Sequence, residues 1–330
     1  MKKIALLSII FFLAGTSCQN TTLPPNQTAV QADAILASPP QPTTPTAADN
    51  KVLPNEALLG PAAHNIHLAT SDNGVTWTLE GRPLIEHASV PDLTVLTQPV
   101  NDLPIGTLVG YFVDAKSFHQ AGDERIGMIY STNNGATWSQ VVDVEFTGAG
   151  NTTPVDPSII QLNDGSLRLY YFDFSNDLSS IDKKSTFYSA TSTDGLKFTV
   201  DGPIYEHNGI ATDPDIIYFN NKWHLFFAEP KELMPSIQMI TSDSDHFFGE
   251  TTTIPVSGIP GTLILENELQ IYGCGDGGIV ISSTKDTVTW AQQERIISVP
   301  ENTAVCDPAP VQTSDGRYVA LIKEQSVMPR

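Results

Sequence analysis

The chain has 330 residues, with 17 basic against 37 acidic side chains and a formal charge of −20. That balance excludes a charge-built surface for nucleic acid or anionic membranes, because both need clustered Lys and Arg. It admits cation binding, and the roughly 270 residues after the N-terminal region are enough for a sizeable core.

In chain order, Lys2 and Lys3 give a positive start, residues 4–14 are apolar, and Gly15, Thr16 and Ser17 lead to Cys18. The apolar run is too short to span a bilayer and fits a cleaved signal peptide over residues 1–17. A Cys after small residues resembles the lipobox of bacterial lipoproteins, although Gly15 stands where that family prefers Leu. The alternative is an ordinary signal peptide cut near Cys18. The resemblance implies an acylated Cys18, with palmitate-like chains as the only membrane contact. Gln19, where Asp would signal retention, implies the outer membrane. Residues 18–58 read as a tether: Pro39, Pro40, Pro42 and Pro45 keep it extended, and its few large apolar residues cannot offset the entropy of ordering. Two cysteines remain, Cys274 and Cys306; they can pair outside the cytoplasm or stay as buried thiols.

Residues 59–330 are organised by a repeat. TSDNGVTW at 70–77 is followed by STNNGATW at 131–138 and TSTDGLKF at 191–198, with weaker copies at 241–248 and 283–290. The pattern Ser/Thr-x-Asp-x-Gly-x-Thr-Trp describes a tight turn. Asp or Asn caps backbone amides, Gly takes a positive φ, and the aromatic packs inward from the next strand. The motif resembles the Asp-box, or BNR repeat, of sialidases and related β-propellers. There it joins the third and fourth strands of a blade away from the active site, so the resemblance gives Asp72 and its counterparts a folding role.

Between repeats, residues 107–113, 166–172, 222–228, 268–273 and 317–322 read as strands, with almost no helical periodicity. Inner strands start near Pro91, Val155, Asp213, Pro260 and Asp307. That predicts an all-β, five-bladed β-propeller. The last blade has only two strands, and the first repeat precedes the first inner strand. The N-terminal strands then complete the last blade and remove the open sheet edge. Six blades would require another repeat.

Acids recur at strand ends. Asp92, Asp156, Asp213, Asp215 and Asp307 open inner strands. Asp114, Asp173, Glu229, Asp276 and Glu324 close second strands at the same predicted face. The Asp-Pro starts resemble five-bladed glycoside hydrolases such as arabinanases and β-xylosidases. The resemblance implies one carboxyl as acid and another as base or nucleophile in an axial funnel. It gives Asp92 as base or nucleophile, Asp156 or Asp213 as pKa tuner and Glu229 as acid, with Asp307, Asp114, Asp173, His87 and His207 as binding residues. The departure is that the family places a Glu at an inner-strand start, where every acid here is Asp. An Asp before Pro also caps turns, which is the structural alternative.

Sialidase activity does not fit: Arg is scarce, and an acidic funnel repels an anionic sugar. No cofactor is required, although Ca²⁺ could neutralise the carboxylates. Glu86-His87 and Glu206-His207 sit in matching contexts and either line the funnel or pack as part of the repeat. Gly273, Gly275 and Gly278 spell a dinucleotide fingerprint but read as a turn between strands, and His64 and His67 lack further ligands at metal spacing. The expected function is an envelope protein acting on neutral glycans, or a non-catalytic propeller binding glycan or protein. The oligomeric state is not legible.

Overall fold

The computed structural model describes residues 60–116, 124–175, 184–232, 234–247, 249–275, 277–300 and 303–326. Cys18, the tether and Asp276 lie outside them. After a 3₁₀ turn at Gly60–Ala63, every described element is a strand. Two strands, β1 (His64–Ser71) and β2 (Thr78–Glu86), precede the first complete blade. Blade 1 is β3 (Ala88–Val95), β4 (Leu108–Asp114), β5 (Arg125–Ser131) and β6 (Val142–Asp143). A short β7 (Glu145–Thr147) then pairs in parallel with the outer strand of blade 2. That blade is β8 (Pro154–Gln161), β9 (Leu167–Asp173), β10 (Lys184–Ser192) and β11 (Lys197–Asn208). Blade 3 is β12 (Thr212–Phe219), β13 (Lys222–Glu229), β14 (Ser236–Ser242) and β15 (Thr252–Ser257). Blade 4 is β16 (Gly261–Leu265), β17 (Glu268–Gly275), β18 (Gly278–Thr284) and β19 (Glu294–Ser298). Blade 5 takes β20 (Thr303–Gln312) and β21 (Tyr318–Ser326) from the C-terminal end, then β1 and β2. The fold is a five-bladed β-propeller. Its ring closes by antiparallel pairing of β1 with β21, from His64 opposite Gln325 to Ser71 opposite Tyr318.

Second strands are buried along nearly their whole length, as LVGYFVD in β4 and LRLYYFD in β9 show. They are sandwiched between blades, so both faces must be apolar. Aromatic pairs join neighbouring blades: Tyr111 with Phe198, Phe187 with Phe227, Phe226 with Trp290, and Trp77 with Tyr272. At the seam between blades 5 and 1, Trp138 packs instead against an aliphatic cluster that includes Leu108 and Val319. The repeat aromatics therefore face inward, but unequally. Phe198 and Trp77 are buried, while Trp138 and Trp290 are half-buried.

The repeated turns join third to fourth strands. In each well-formed copy a hydroxyl accepts the amide that starts the turn: Ser71 from Gly74, Ser131 from Gly135, Ser192 from Gly195, and Thr284 from Thr287. A side-chain oxygen two residues later caps the far side. Asn73, Asn133, Asp194 and Asp286 do this. The first turn corrects the sequence assignment: Asn73 makes the bonds, and Asp72 is exposed. The second turn carries one extra residue, Asn134, between its capping Asn133 and its Gly135, so Asn73 and not Asp72 is the counterpart of Asn133. The amides of Thr289 and Val288 pull Asp286 down to about 2, as expected for a carboxylate fixed by backbone donors.

Cys274 and Cys306 form a disulfide with Cα atoms 5.1 Å apart. It joins the end of β17 in blade 4 to β20 in blade 5. Of the Gly-rich stretch, Gly273 and Gly275 lie at the end of β17 and Gly278 opens β18, so the fingerprint glycines sit on strands.

Candidate active site

The five inner strands pack against one another around the axis. Four of them bulge at the same place. The pairing with the second strand slips between Ser89 and Asp92, Val155 and Ser158, Thr212 and Asp215, and Cys306 and Ala309. Each bulge contains a residue before proline with positive φ: Val90 (46°), Asp156 (52°), Asp213 (55°) and Asp307 (50°). Asp tolerates this region because its short polar side chain can bond locally, and Val does not. In blade 4, Ile259-Pro260 holds the corresponding place.

Asp156, Asp213 and Asp307 thus share one structural position on three blades. They also sense one another. Burial, then Asp213 and Asp307, push the Asp156 carboxyl well above the ordinary range. Burial and Asp307 raise Asp213 to about 7, opposed by Lys323 and by a hydrogen bond from Thr212. Asp156 also accepts the Asp213 backbone amide. Asp307 is 2% exposed and takes no backbone N–H on either oxygen. It is balanced by the Lys323 ammonium, whose Nζ lies 2.7 Å from Oδ2. Burial opposes the lysine's charge, but Asp307 and Asp213 outweigh it and raise its pKa. His64 completes the group. Its Nδ1 lies 2.8 Å from Ser89 Oγ, and burial followed by Lys323 lowers it to about 4, so the ring is neutral.

Asp92 sits two residues along, at the other side of its bulge, and shares its position with Ser158 and Asp215. These side chains bond to neighbouring blades. Asp92 Oδ2 accepts the Ile159 amide at 2.6 Å, and its Oδ1 accepts the Leu93 amide at 2.8 Å. Ser158 Oγ accepts the Ile216 amide at 3.2 Å. Asp215 accepts from Thr262. Blades 1, 2 and 3 therefore each cap a backbone donor of the next. Burial and Asp215 raise Asp92, and burial raises Asp215 to about 6. Blade 4 interrupts the series with Gly261, where a Cβ would lie 1.7 Å from the Pro308 carbonyl oxygen.

The other predicted residues have partners of their own. Glu229 accepts from Lys231 at 2.9 Å and Gln238 at 3.1 Å. His207 packs edge-on against Phe227 near that pair, with its pKa lowered by burial. Asp114 caps the Lys116 amide, and Asp173 accepts the amides of Thr153 and Ser175. Glu324 faces His67, and His87 Nδ1 bonds the Ala62 carbonyl at 2.7 Å. Among the described residues, no group of three or more His, Cys, Asp or Glu is arranged to hold a metal ion. The positive charge at the axial acids comes from Lys323, which carried no mark in the turn pattern, beside His64, which was weighed only as a metal ligand.

The axial cavity lined by Val90, Asp92, Asp213, Asp215, Gly261 and Asp307 has a volume of about 20 Å³. That accommodates a water molecule but not a sugar ring. Chemically, the mouth offers a carboxyl that keeps its proton beside carboxyls that can ionise, the arrangement acid–base chemistry needs.

No family model matches the sequence, and no curated protein matches it. Solved structures do. The chain is similar to a thermostable family-43 glycoside hydrolase, with a TM-score of 0.53 and 11% identity over 74% of this chain and 95% of that one. It is similar to the GH43_1 enzyme from Xanthomonas citri complexed with xylotriose, with a TM-score of 0.51 and 13% identity over 74% and 89%. It is also similar to the Penicillium chrysogenum alpha-L-arabinanase complexed with arabinobiose, with a TM-score of 0.51 and 12% identity over 72% and 93%. At these identities the likeness is one of fold.

Proposed function

We propose that this five-bladed propeller hydrolyses glycosidic bonds in neutral glycans at its axial mouth. One observation carries the reading: three blades bring Asp156, Asp213 and Asp307 into one electrostatic group with unequal claims on a proton. Asp156 acts as general acid and protonates the leaving oxygen. Asp213 acts as base on a water held at the narrow axial cavity, and Asp307 tunes the pair. The roles move here from Asp92 and Glu229, because the oxygens of Asp92 hold backbone amides and Glu229 is paired with Lys231 and Gln238. The excess of acids disfavours anionic sugars. The ligands in two of the similar structures suggest arabinose- and xylose-containing oligosaccharides as first substrates. The test is release of reducing sugar from a panel of neutral oligosaccharides by wild type and Asp156→Asn. Turnover that survives the substitution would remove Asp156 from the chemistry.

A second reading, a glycan- or protein-binding propeller without catalysis, is favoured by the small axial cavity. Measurable glycan affinity with no turnover across the panel would select it.

The protein is also proposed to be anchored at the outer membrane through acylated Cys18. The supporting observation is the short apolar leader and small residues before that cysteine. A Cys18→Ser variant should leave the membrane fraction, and unchanged partitioning would refute the anchor.

A further inference from the structure

The five second strands occupy equivalent places, so their residues can be compared blade by blade. Val113, Phe172, Ala228 and Lys323 each pair with the residue just before a bulge. Cys274 holds the same place in blade 4, two residues beyond Tyr272, the partner of Gly261. Val113, Phe172, Ala228 and Cys274 are all buried, with at most 3% exposure. The repeat calls for a small or apolar core residue there, and blade 5 supplies a lysine. Burying an ammonium is costly unless it is paired, so an unpaired Lys would be selected against on stability alone.

Its surroundings supply the partners. Asp307 faces it from β20, Asp213 from β12, Asp156 from β8 and His64 from β1, with Gln325 on its own strand beside His64. The matching places in blades 1 and 4 are the apolar Val90, on β3, and Ile259, just before β16. The group therefore contains three carboxyls, one ammonium and a neutral imidazole. The ammonium acts unequally: it is in contact with Asp307, acts next most strongly on Asp213, and least on Asp156.

We propose that Lys323 is the positioning residue of the axial site: its ammonium, set against Asp307 and acting on Asp213 more than on Asp156, steers the shared proton toward Asp156. Its importance for catalysis rests on the hydrolase reading above, but its effect on the acids does not. Lys323 needs no contact with substrate. It sets which carboxyl gives a proton and which accepts one, and it supplies from the chain the charge that a bound cation would otherwise bring.

The test is a titration of Asp side-chain carboxyl ¹³C resonances in the protein without sugar, assigned with Asp156→Asn, Asp213→Asn and Asp307→Asn. At pH 7, Lys323→Met should hold at least one more protonated carboxyl than wild type, with a titration midpoint moved up by more than one pH unit. Lys323→Arg should restore the wild-type pattern. Midpoints in Lys323→Met that match wild type, or Lys323→Arg curves displaced as far as those of Lys323→Met, would overturn the proposal. Should Lys323→Met not fold, Asp307→Asn is compared with the double variant Asp307→Asn, Lys323→Met, which removes the buried pair together. The Asp213 midpoint should lie more than one unit higher in the double variant, and equal midpoints would refute the coupling. If a glycan is hydrolysed, the pH–rate profile of Lys323→Met should shift, and that of Lys323→Arg should not. If no glycan turns over, the hydrolase reading fails and the titration still judges Lys323.

Discussion

Two sets of acids stand two residues apart on the same bulges. Asp92 and Asp215 lie past the proline, and each accepts a backbone amide of the next blade. Asp156, Asp213 and Asp307 lie before it, with one backbone amide among the three and a lysine for counterion. A carboxylate whose lone pairs hold backbone donors is part of the frame, and removing it strands buried amides. A carboxylate that faces other carboxylates and holds few backbone donors is free to exchange a proton, whereas Asp92, though it feels Asp215, has both oxygens on amides. The same residue type thus takes two tasks according to which side of a proline it occupies.

The largest effect that sharpens this contrast is on turnover. Asp156→Asn and Asp213→Asn should each reduce glycan hydrolysis by roughly a hundred- to ten-thousand-fold, the span usual for a lost general acid or base. Initial rates at saturating substrate check this, and a loss under tenfold would erase the distinction. Next comes the covalent support of the Asp307 bulge. Cys306 precedes Asp307 and is tied to Cys274 across 32 residues of chain. Cys274→Ser with Cys306→Ser should cost about 3–4 kcal/mol by the chain-entropy argument. Urea midpoints with the reduced wild type as control measure it. Asp92→Ala should cost about 2–3 kcal/mol, because the Leu93 and Ile159 amides lose their acceptor. A midpoint equal to wild type would place Asp92 outside the frame.

The smallest expected effect is on pH dependence. Asp213 titrates near 7 in the folded protein against 3.8 as its ordinary value. Between these pH values the folded state binds more protons than the unfolded one, so this group's contribution to stability falls as pH rises from about 4 to 7. His64, lowered to about 4, pulls the opposite way up to 6.5 and cancels when variants are compared. Asp213→Asn should therefore gain on wild type steadily as pH rises across that window. A constant difference from pH 4 to 7 would contradict the raised titration.

Much of the fold was legible because a repeat carries its own register. The turns at 70–77, 131–138 and 191–198 located the third and fourth strands. The unfinished last blade told where the N-terminal strands must go. The site was legible only in part. Letters showed acids at four of the five inner-strand starts, but not that Asp92 lies on the far side of its bulge from the place Asp156 holds, because a bulge adds residues without a sequence mark. Glu229 looked suitable by position, yet Lys231 and Gln238 are its partners. Lys323 did leave a signal: YVALIKEQ carries a charge where LVGYFVD and LRLYYFD carry Val113 and Phe172. Aligning second strands, and not only turns, would have exposed it.

The most direct test of the division among the acids needs no substrate. It is the urea midpoint at pH 7 of Asp92→Asn against Asp156→Asn. In Asp92→Asn an amide NH₂ must face a backbone donor, so the midpoint should fall. In Asp156→Asn the remaining carbonyl can still accept the Asp213 amide, and a neutral side chain replaces a carboxyl that burial keeps protonated, so the midpoint should hold or rise. A fall in Asp156→Asn with none in Asp92→Asn would contradict the assignment of frame and chemistry to the two sides of the bulge.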